Sequence, residues 1–153
     1  MHRLEETWLA VSIGILVIFM LITGYQTFAL GMGPPSNKEM IDPQKVSETA
    51  PFDNPGVKKI GENEYEVVMT LQAFGFDPSE VEVPAGAKVN FILTSKDVTH
   101  GFQVAGTNIN AMVMPGHIQK ISHTFEEPGD YLVLCNEYCG AGHQVMGTSI
   151  IVK

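Results

Sequence analysis

Cys135, Cys139, His143 and Met146 fall within one short segment, Cys135-Asn-Glu-Tyr-Cys139-Gly-Ala-Gly-His143-Gln-Val-Met146, and the chain has 2 cysteines in all. A further imidazole, His100, stands upstream in Asp97-Val-Thr-His100-Gly-Phe102. Thiolate and thioether sulfur combined with imidazole select copper or zinc over hard cations. A Cys135–Cys139 disulfide would account for the two thiols but leave His143 and Met146 unexplained. A tetrahedral zinc site built from Cys135, Cys139, His143 and His100 has no use for Met146. A mononuclear blue copper site takes two His, one Cys and a weak axial Met, which leaves the second cysteine idle. A pair of copper ions uses the whole set. Each ion takes one imidazole, both share the two sulfurs, Met146 is a weak donor to one, and a backbone carbonyl between the cysteines serves the other.

These side chains must be positioned by the remainder of the chain, which reads as short strands. In Tyr65–Ala73 the odd positions are apolar and oppose Glu66, Thr70 and Gln72, the period of a half-buried strand. Glu80–Val83, Lys88–Ser95, Ile118–Phe125, Tyr131–Cys135 and Thr148–Val152 are further strand candidates, punctuated by Pro84-Ala-Gly86, Pro115-Gly116 and Pro128-Gly129. Closely spaced short strands with no amphipathic helix between them predict an antiparallel sandwich or barrel. Met112 and Met114 lie two apart, on one strand face, and read as core. His117 and His123 read as surface or structural residues, and Phe74 and Phe76 as packing or apolar surface near the metal loops.

Thr7–Asn37 is a run of 31 residues without Asp, Glu, Lys or Arg. Its apolar core, about 8–30, is long enough as a helix to cross a hydrocarbon layer of about 30 Å. Trp8 and Tyr25 stand near its two ends, where amphipathic rings favour the membrane interface. The expected organisation is an N-terminal membrane anchor over 1–37, a Pro-rich linker over 38–59 and a metal-binding domain over 60–153. The net charge of −8, with Arg3 as the single arginine, excludes a nucleic-acid binder. From Lys38 to Lys153 the balance is 15 acidic against 8 basic side chains, a net −7. Such a field would steer a basic partner or simply aid solubility.

The segment C-N-E-Y-C-G-A-G-H-Q-V-M, with the upstream D-V-T-H-G-F, resembles the dinuclear CuA motif C-x3-C-x3-H-x2-M of cytochrome c oxidase subunit II. The resemblance extends over about residues 60–153. It implies an all-β, cupredoxin-like Greek-key β-sandwich with one N-terminal transmembrane α-helix. It implies two copper ions held by His100, Cys135, the Glu137 backbone carbonyl, Cys139, His143 and Met146, with Asp97 and Asn136 as hydrogen-bonding neighbours. The single helix, and Gln72-Ala-Phe74-Gly-Phe76 where many relatives carry a tryptophan-rich segment, are similar to the short subunit II of the B-type haem–copper oxidases. A Mg or Mn site on the Glu137 side chain is not expected in that type. The resemblance further implies an electron-entry role in a respiratory oxidoreductase: cytochrome c as donor, haem in subunit I as acceptor, and oxygen reduced to water with proton pumping. It places the copper domain on the periplasmic or outer face of the cell membrane, with lipid around the anchor. A CuA domain like that of nitrous oxide reductase would need a large additional copper domain, for which 153 residues leave no room. A membrane-tethered copper carrier or zinc module is the remaining alternative.

Overall fold

The structure is a computed structural model that describes residues 3–30 and 39–153. It divides into two units, Met1–Pro34 and Pro35–Lys153. In the first, α1 (Arg3–Phe28) is a helix of 26 residues with mean hydropathy 2.2 and no buried side chain. Its apolar residues surround the helix on every side, the pattern of a helix whose solvent is lipid. Thr7 and Thr23 return their hydroxyl protons to carbonyls four residues back, Arg3 and Phe19, so these polar groups are satisfied within the helix itself.

The second unit is a β-sandwich. Its strands are β1 (Gly56–Lys59), β2 (Glu64–Gln72), β3 (Gly75–Asp77), β4 (Glu80–Val83), β5 (Lys88–Ser95), β6 (His100–Val104), β7 (Asn110–Val113), β8 (Gln119–Thr124), β9 (Gly129–Leu134) and β10 (Gly147–Val152). Among the described residues one sheet runs β1-β2-β5-β8 with β3 beside β2, and the other runs β4-β10-β9-β6-β7. The core between them holds Val67, Met69, Leu71, Val89, Phe91, Leu93, Phe102, Phe125, Val133 and Ile150. Phe102 packs on Phe91 with ring centroids 5.3 Å apart and on Phe76 at 6.2 Å. Phe76 is therefore core, as one of its two expected roles had it.

The sheets are mixed, not purely antiparallel. β2 pairs with β5 and β4 with β10 in parallel. The chain crosses to the opposite sheet between β2 and β5, and a strand re-entering after such a crossover runs in its starting direction. β6 and β7 carry too few alternating residues to read as strands beforehand, yet β6 holds His100.

Two expectations change here. The stretch 38–59, expected as an extended linker, is folded onto the sandwich where it is described. Ile41, Val46 and Phe52 are buried against Val68, with Ile92 and Ile118 at the margin. A short 3-10 turn, Val46–Glu48, sits within the stretch, and its last part is β1. This cover explains why β2 is buried on both faces, with Val68 and Thr70 as inaccessible as Val67 and Met69, although alternation predicts a half-buried strand. Lys38 lies outside the described residues. Secondly, Met112 and Met114 are not core: they are 47% and 41% exposed, while Val113 between them is buried. The alternation was read on the right period but assigned to the wrong face.

Candidate metal centre

Two segments at one end of the sandwich build the site. The Cys135–Met146 loop joins β9 to β10, and its ends are tied together by the Cys135 N–H donating to the Met146 carbonyl at 3.2 Å. His100 opens β6, which pairs with β9 at Gln103–Leu134 and Val104–Val133. Sheet pairing therefore brings an imidazole against a thiol that is 35 residues away in sequence.

The donor atoms converge. Cys135 Sγ lies 3.7 Å from Cys139 Sγ, 3.8 Å from His100 Nδ1 and 3.2 Å from the Glu137 carbonyl oxygen. Cys139 Sγ lies 3.7 Å from His143 Nδ1 and 3.6 Å from Met146 Sδ. His100, Cys135 and Cys139 place one ligand atom each within 4.8 Å of one another. All five side chains and the carbonyl named from the sequence are thus within one cluster. The thiols are free, at a separation far beyond the roughly 2.05 Å of a disulfide bond.

Burial decides what the cluster can do. His100 is fully buried, and Cys135, Cys139 and Met146 are nearly so. In the metal-free chain, burial pushes the Cys139 thiol up to about 11, with the neighbouring Cys135 adding to the rise. Uncharged, the two thiols fit the dry site; charged, they need a cation between them. Three soft sulfur donors, two imidazoles and a carbonyl around such a spot fit copper ions, and the thioether distinguishes the set from a zinc tetrahedron.

Neighbouring groups fix the orientation of these donors. The Asp97 carboxyl is held below its ordinary range: partial burial opposes ionisation, but hydrogen bonds from His100 and from the N–H groups of Ala73 and Val98 outweigh it. As an ionised acceptor at 2.8 Å it takes the proton of His100 Nε2, which leaves Nδ1 with its lone pair facing Cys135. Its other oxygen accepts from Ala73 N–H at 2.7 Å. Asn136 Nδ2 donates to Asn110 Oδ1 at 2.9 Å and pins the loop to β7. Asp97 is thus the expected hydrogen-bonding neighbour of His100, whereas Asn136 bonds Asn110 and none of the donor side chains.

Three glycines were not foreseen. Gly101 N–H donates to Cys135 Sγ at 3.4 Å, and a Cβ there would meet Asn136 Oδ1 at 1.9 Å and the Asn136 and Glu137 nitrogens at 2.5 and 2.8 Å. Gly140 and Gly142 lie under the ring of Phe74, where a Cβ on Gly142 would be 2.5 Å from the ring. Phe74 is thus a half-exposed cover over the loop that carries His143. The available signals were the glycine directly after His100 and the Gly-Ala-Gly before His143. The ring of Tyr138 stands 5.8 Å from that of His143, and Tyr138 and Val145 are 80% and 77% exposed. The rim on the His143 side is consequently apolar.

Comparison with known proteins places this geometry among relatives. Residues 64–153 match the family model described as cytochrome c oxidase subunit II, periplasmic domain. The chain is 42% identical to cytochrome c oxidase subunit 2 of Thermus thermophilus over 153 residues, covering 97% of this chain and 91% of that one. It superposes with a TM-score of 0.78 and 32% identity on a chain of a heme-copper terminal oxidase dimer solved by cryo-electron microscopy, covering 97% of this chain and 99% of that one. The periplasmic domain of subunit II of cytochrome oxidase from Bradyrhizobium japonicum shares the fold at a TM-score of 0.54 and 18% identity, over 57% of this chain and 83% of that one.

Proposed function

The chain belongs to the cytochrome c oxidase subunit II family, and from that membership we propose the following function. It is the electron-entry subunit of a membrane-bound haem–copper oxidase, an oxidoreductase, and its partners include the haem-bearing subunit I. Its cofactor is a dinuclear copper centre, CuA. Cys135 and Cys139 would hold the copper as thiolates, His100 and His143 would supply one imidazole each, and Met146 through its thioether and Glu137 through its carbonyl would be the weak donors. The observation that carries the assignment is the convergence of these six donors at one buried end of the sandwich.

When bound, the copper pair would supply a one-electron carrier between a donor protein and haem in subunit I. The chain's own residues make that exchange fast. The two loops are anchored on paired strands and cross-tied by Asp97, Asn136 and Gly101, so donor atoms move little when the charge changes. Burial of His100, Cys135, Cys139 and Met146 keeps water out, so little solvent must reorient.

The finer reading has cytochrome c as donor and α1 as a single-pass anchor in lipid of the cell membrane, with the copper domain on the periplasmic or outer face. The domain layout is an anchor within 1–37, the connecting stretch 38–59 and the CuA domain 60–153. The apolar rim of Tyr138, Val145 and Phe74 supports docking of an electron-transfer partner through dispersion and burial rather than through charge alone. Oxygen reduction to water and proton pumping belong to the assembled complex, with this chain as its electron inlet.

The test is to load the full-length chain with copper in detergent. Two copper ions per chain and a purple, valence-delocalised EPR signal are expected. One copper per chain, a blue mononuclear spectrum or a preference for zinc would overturn the assignment. In the same preparation Met146→Leu should keep most of its copper. Removing a donor from the oxidised form raises the reduction potential, by an amount of the order of the roughly 60 mV that changes a one-electron equilibrium tenfold. Spectroelectrochemistry reads the shift.

A further inference from the structure

Two of the exposed methionines lie beside a histidine that the copper centre does not use. Ile41 N–H donates to the Gly116 carbonyl at 3.1 Å, and Ile118 N–H donates to the Glu39 carbonyl at 3.1 Å. These bonds flank Met40 and His117, which form an isolated antiparallel bridge. That makes Met40 and His117 a non-hydrogen-bonded pair, the closer kind, with Cα atoms about 4.5 Å apart and side chains on one face. The face is the outer one: Met40 is 74% exposed, whereas the adjacent Ile41 is buried.

Met114 completes the group. His117 N–H donates to the Met114 carbonyl at 3.3 Å across Pro115-Gly116, with Gly116 at φ +81°. This is a tight turn whose end residues stand within about 7 Å at Cα. The His117 backbone is held from a further side, because its carbonyl accepts the Thr94 hydroxyl at 2.8 Å. Two flexible thioethers and one imidazole are therefore carried on neighbouring backbone positions, with Met40 and Met114 exposed and His117 partly so. Lys120, the nearby cation, is already paired with Glu39 at 2.6 Å, so no free positive charge of that pair opposes a cation.

We propose that Met40, Met114 and His117 form a surface site for a soft monovalent metal ion, Cu(I). Neutral thioether and imidazole donors suit Cu(I) and offer little to Zn(II), Mg(II) or Ca(II). The site is distinct from the buried thiolate cluster, shares no residue with it and does not depend on its assignment.

The experiment uses the full chain in detergent, first loaded with Cu(II), freed of loosely held copper by desalting, and reduced. It is then titrated anaerobically with Cu(I) against a chromophoric chelator. One further Cu(I) per chain is expected. Met40→Leu and His117→Gln should each weaken that binding by about tenfold or more. The buried-core variant Met69→Leu should leave it unchanged, as should competition with Zn(II). The purple signal after reoxidation should be the same in all four proteins, which separates this site from the thiolate centre. No additional Cu(I), equal binding in Met40→Leu and His117→Gln, or displacement by Zn(II) would overturn the proposal.

Discussion

Cys139→Ser is expected to remove the two-copper centre altogether. Cys139 Sγ has three potential ligand atoms around it: Cys135 Sγ at 3.7 Å, His143 Nδ1 at 3.7 Å and Met146 Sδ at 3.6 Å. A hydroxyl in its place stays protonated at neutral pH and is a hard, weak donor, so of the two shared thiolates only Cys135 remains, too little to hold a pair of ions. Bound copper should fall from two per chain to one or fewer, the delocalised EPR pattern should vanish, and electron entry from the donor protein should drop to background in stopped-flow. The fold itself should survive, because the large buried side chains Phe91, Phe102, Phe125, Leu93 and Ile150 are untouched. What the variant loses in stability is the part linked to metal binding. At copper a thousandfold above the dissociation constant that part is about 4 kcal/mol, or on the order of 10 °C in melting temperature for a domain of this size. Wild-type protein should therefore melt well above its metal-free form, and Cys139→Ser should gain much less from copper than the wild type does. A normal two-copper spectrum in this variant would show that the sulfur of Cys139 is not a shared ligand.

The cluster of candidate donors was legible because metal chemistry constrains residue type and spacing at short range. Cys135, Cys139, His143 and Met146 share one loop, so their order in the chain is nearly their order in space. His100 is different: it was a candidate by residue type alone, and only the β6–β9 pairing brings it to the loop. The strands that hold the core were legible where alternation was long, as in β2 and β5. β6 and β7 were not, since four or five residues with Gly101 and exposed Met112 among them carry no clear period. The fate of 39–59 was hidden for another reason. Its prolines confine regular structure to a short 3-10 turn and β1, and Ile41, Val46 and Phe52 are spaced irregularly and bury themselves one at a time over β2 and β5. A pattern detector tuned to periods of 2 or 3.6 has nothing to register there. Met112 and Met114 failed in the opposite sense, since period alone cannot tell which side of a sheet is wet.

Gly101→Ala is expected to damage the copper centre although residue 101 contributes no ligand. The argument is steric. The added methyl would sit 1.9 Å from Asn136 Oδ1, which a side-chain rotation relieves, but also 2.5 and 2.8 Å from the backbone nitrogens of Asn136 and Glu137, which no rotation relieves. The Cys135–Cys139 loop must therefore move away from β6. That movement lengthens the Gly101 N–H to Cys135 Sγ hydrogen bond, now 3.4 Å, and strains the Asn136–Asn110 tie. Overpacking of this kind costs about 1–3 kcal/mol, several degrees in melting temperature. The more specific effect is electronic, because an N–H directed at a sulfur lowers the electron density on it and favours the reduced state. Weakening that bond lowers the reduction potential and changes the copper hyperfine pattern. Gly75→Ala is the matched control: it lies on β3, a Cβ there meets nothing within 4 Å, and its φ is not positive. It should leave melting temperature, potential and spectrum as in the wild type. Combining Gly101→Ala with Asn136→Ala separates the two contributions. The double variant removes the side-chain clash but keeps both backbone clashes, so stability should recover only in part while the potential stays low. Full recovery of the potential in that double variant would mean that the Asn136 side chain, not the approach of β6 to the loop backbone, sets the sulfur's environment.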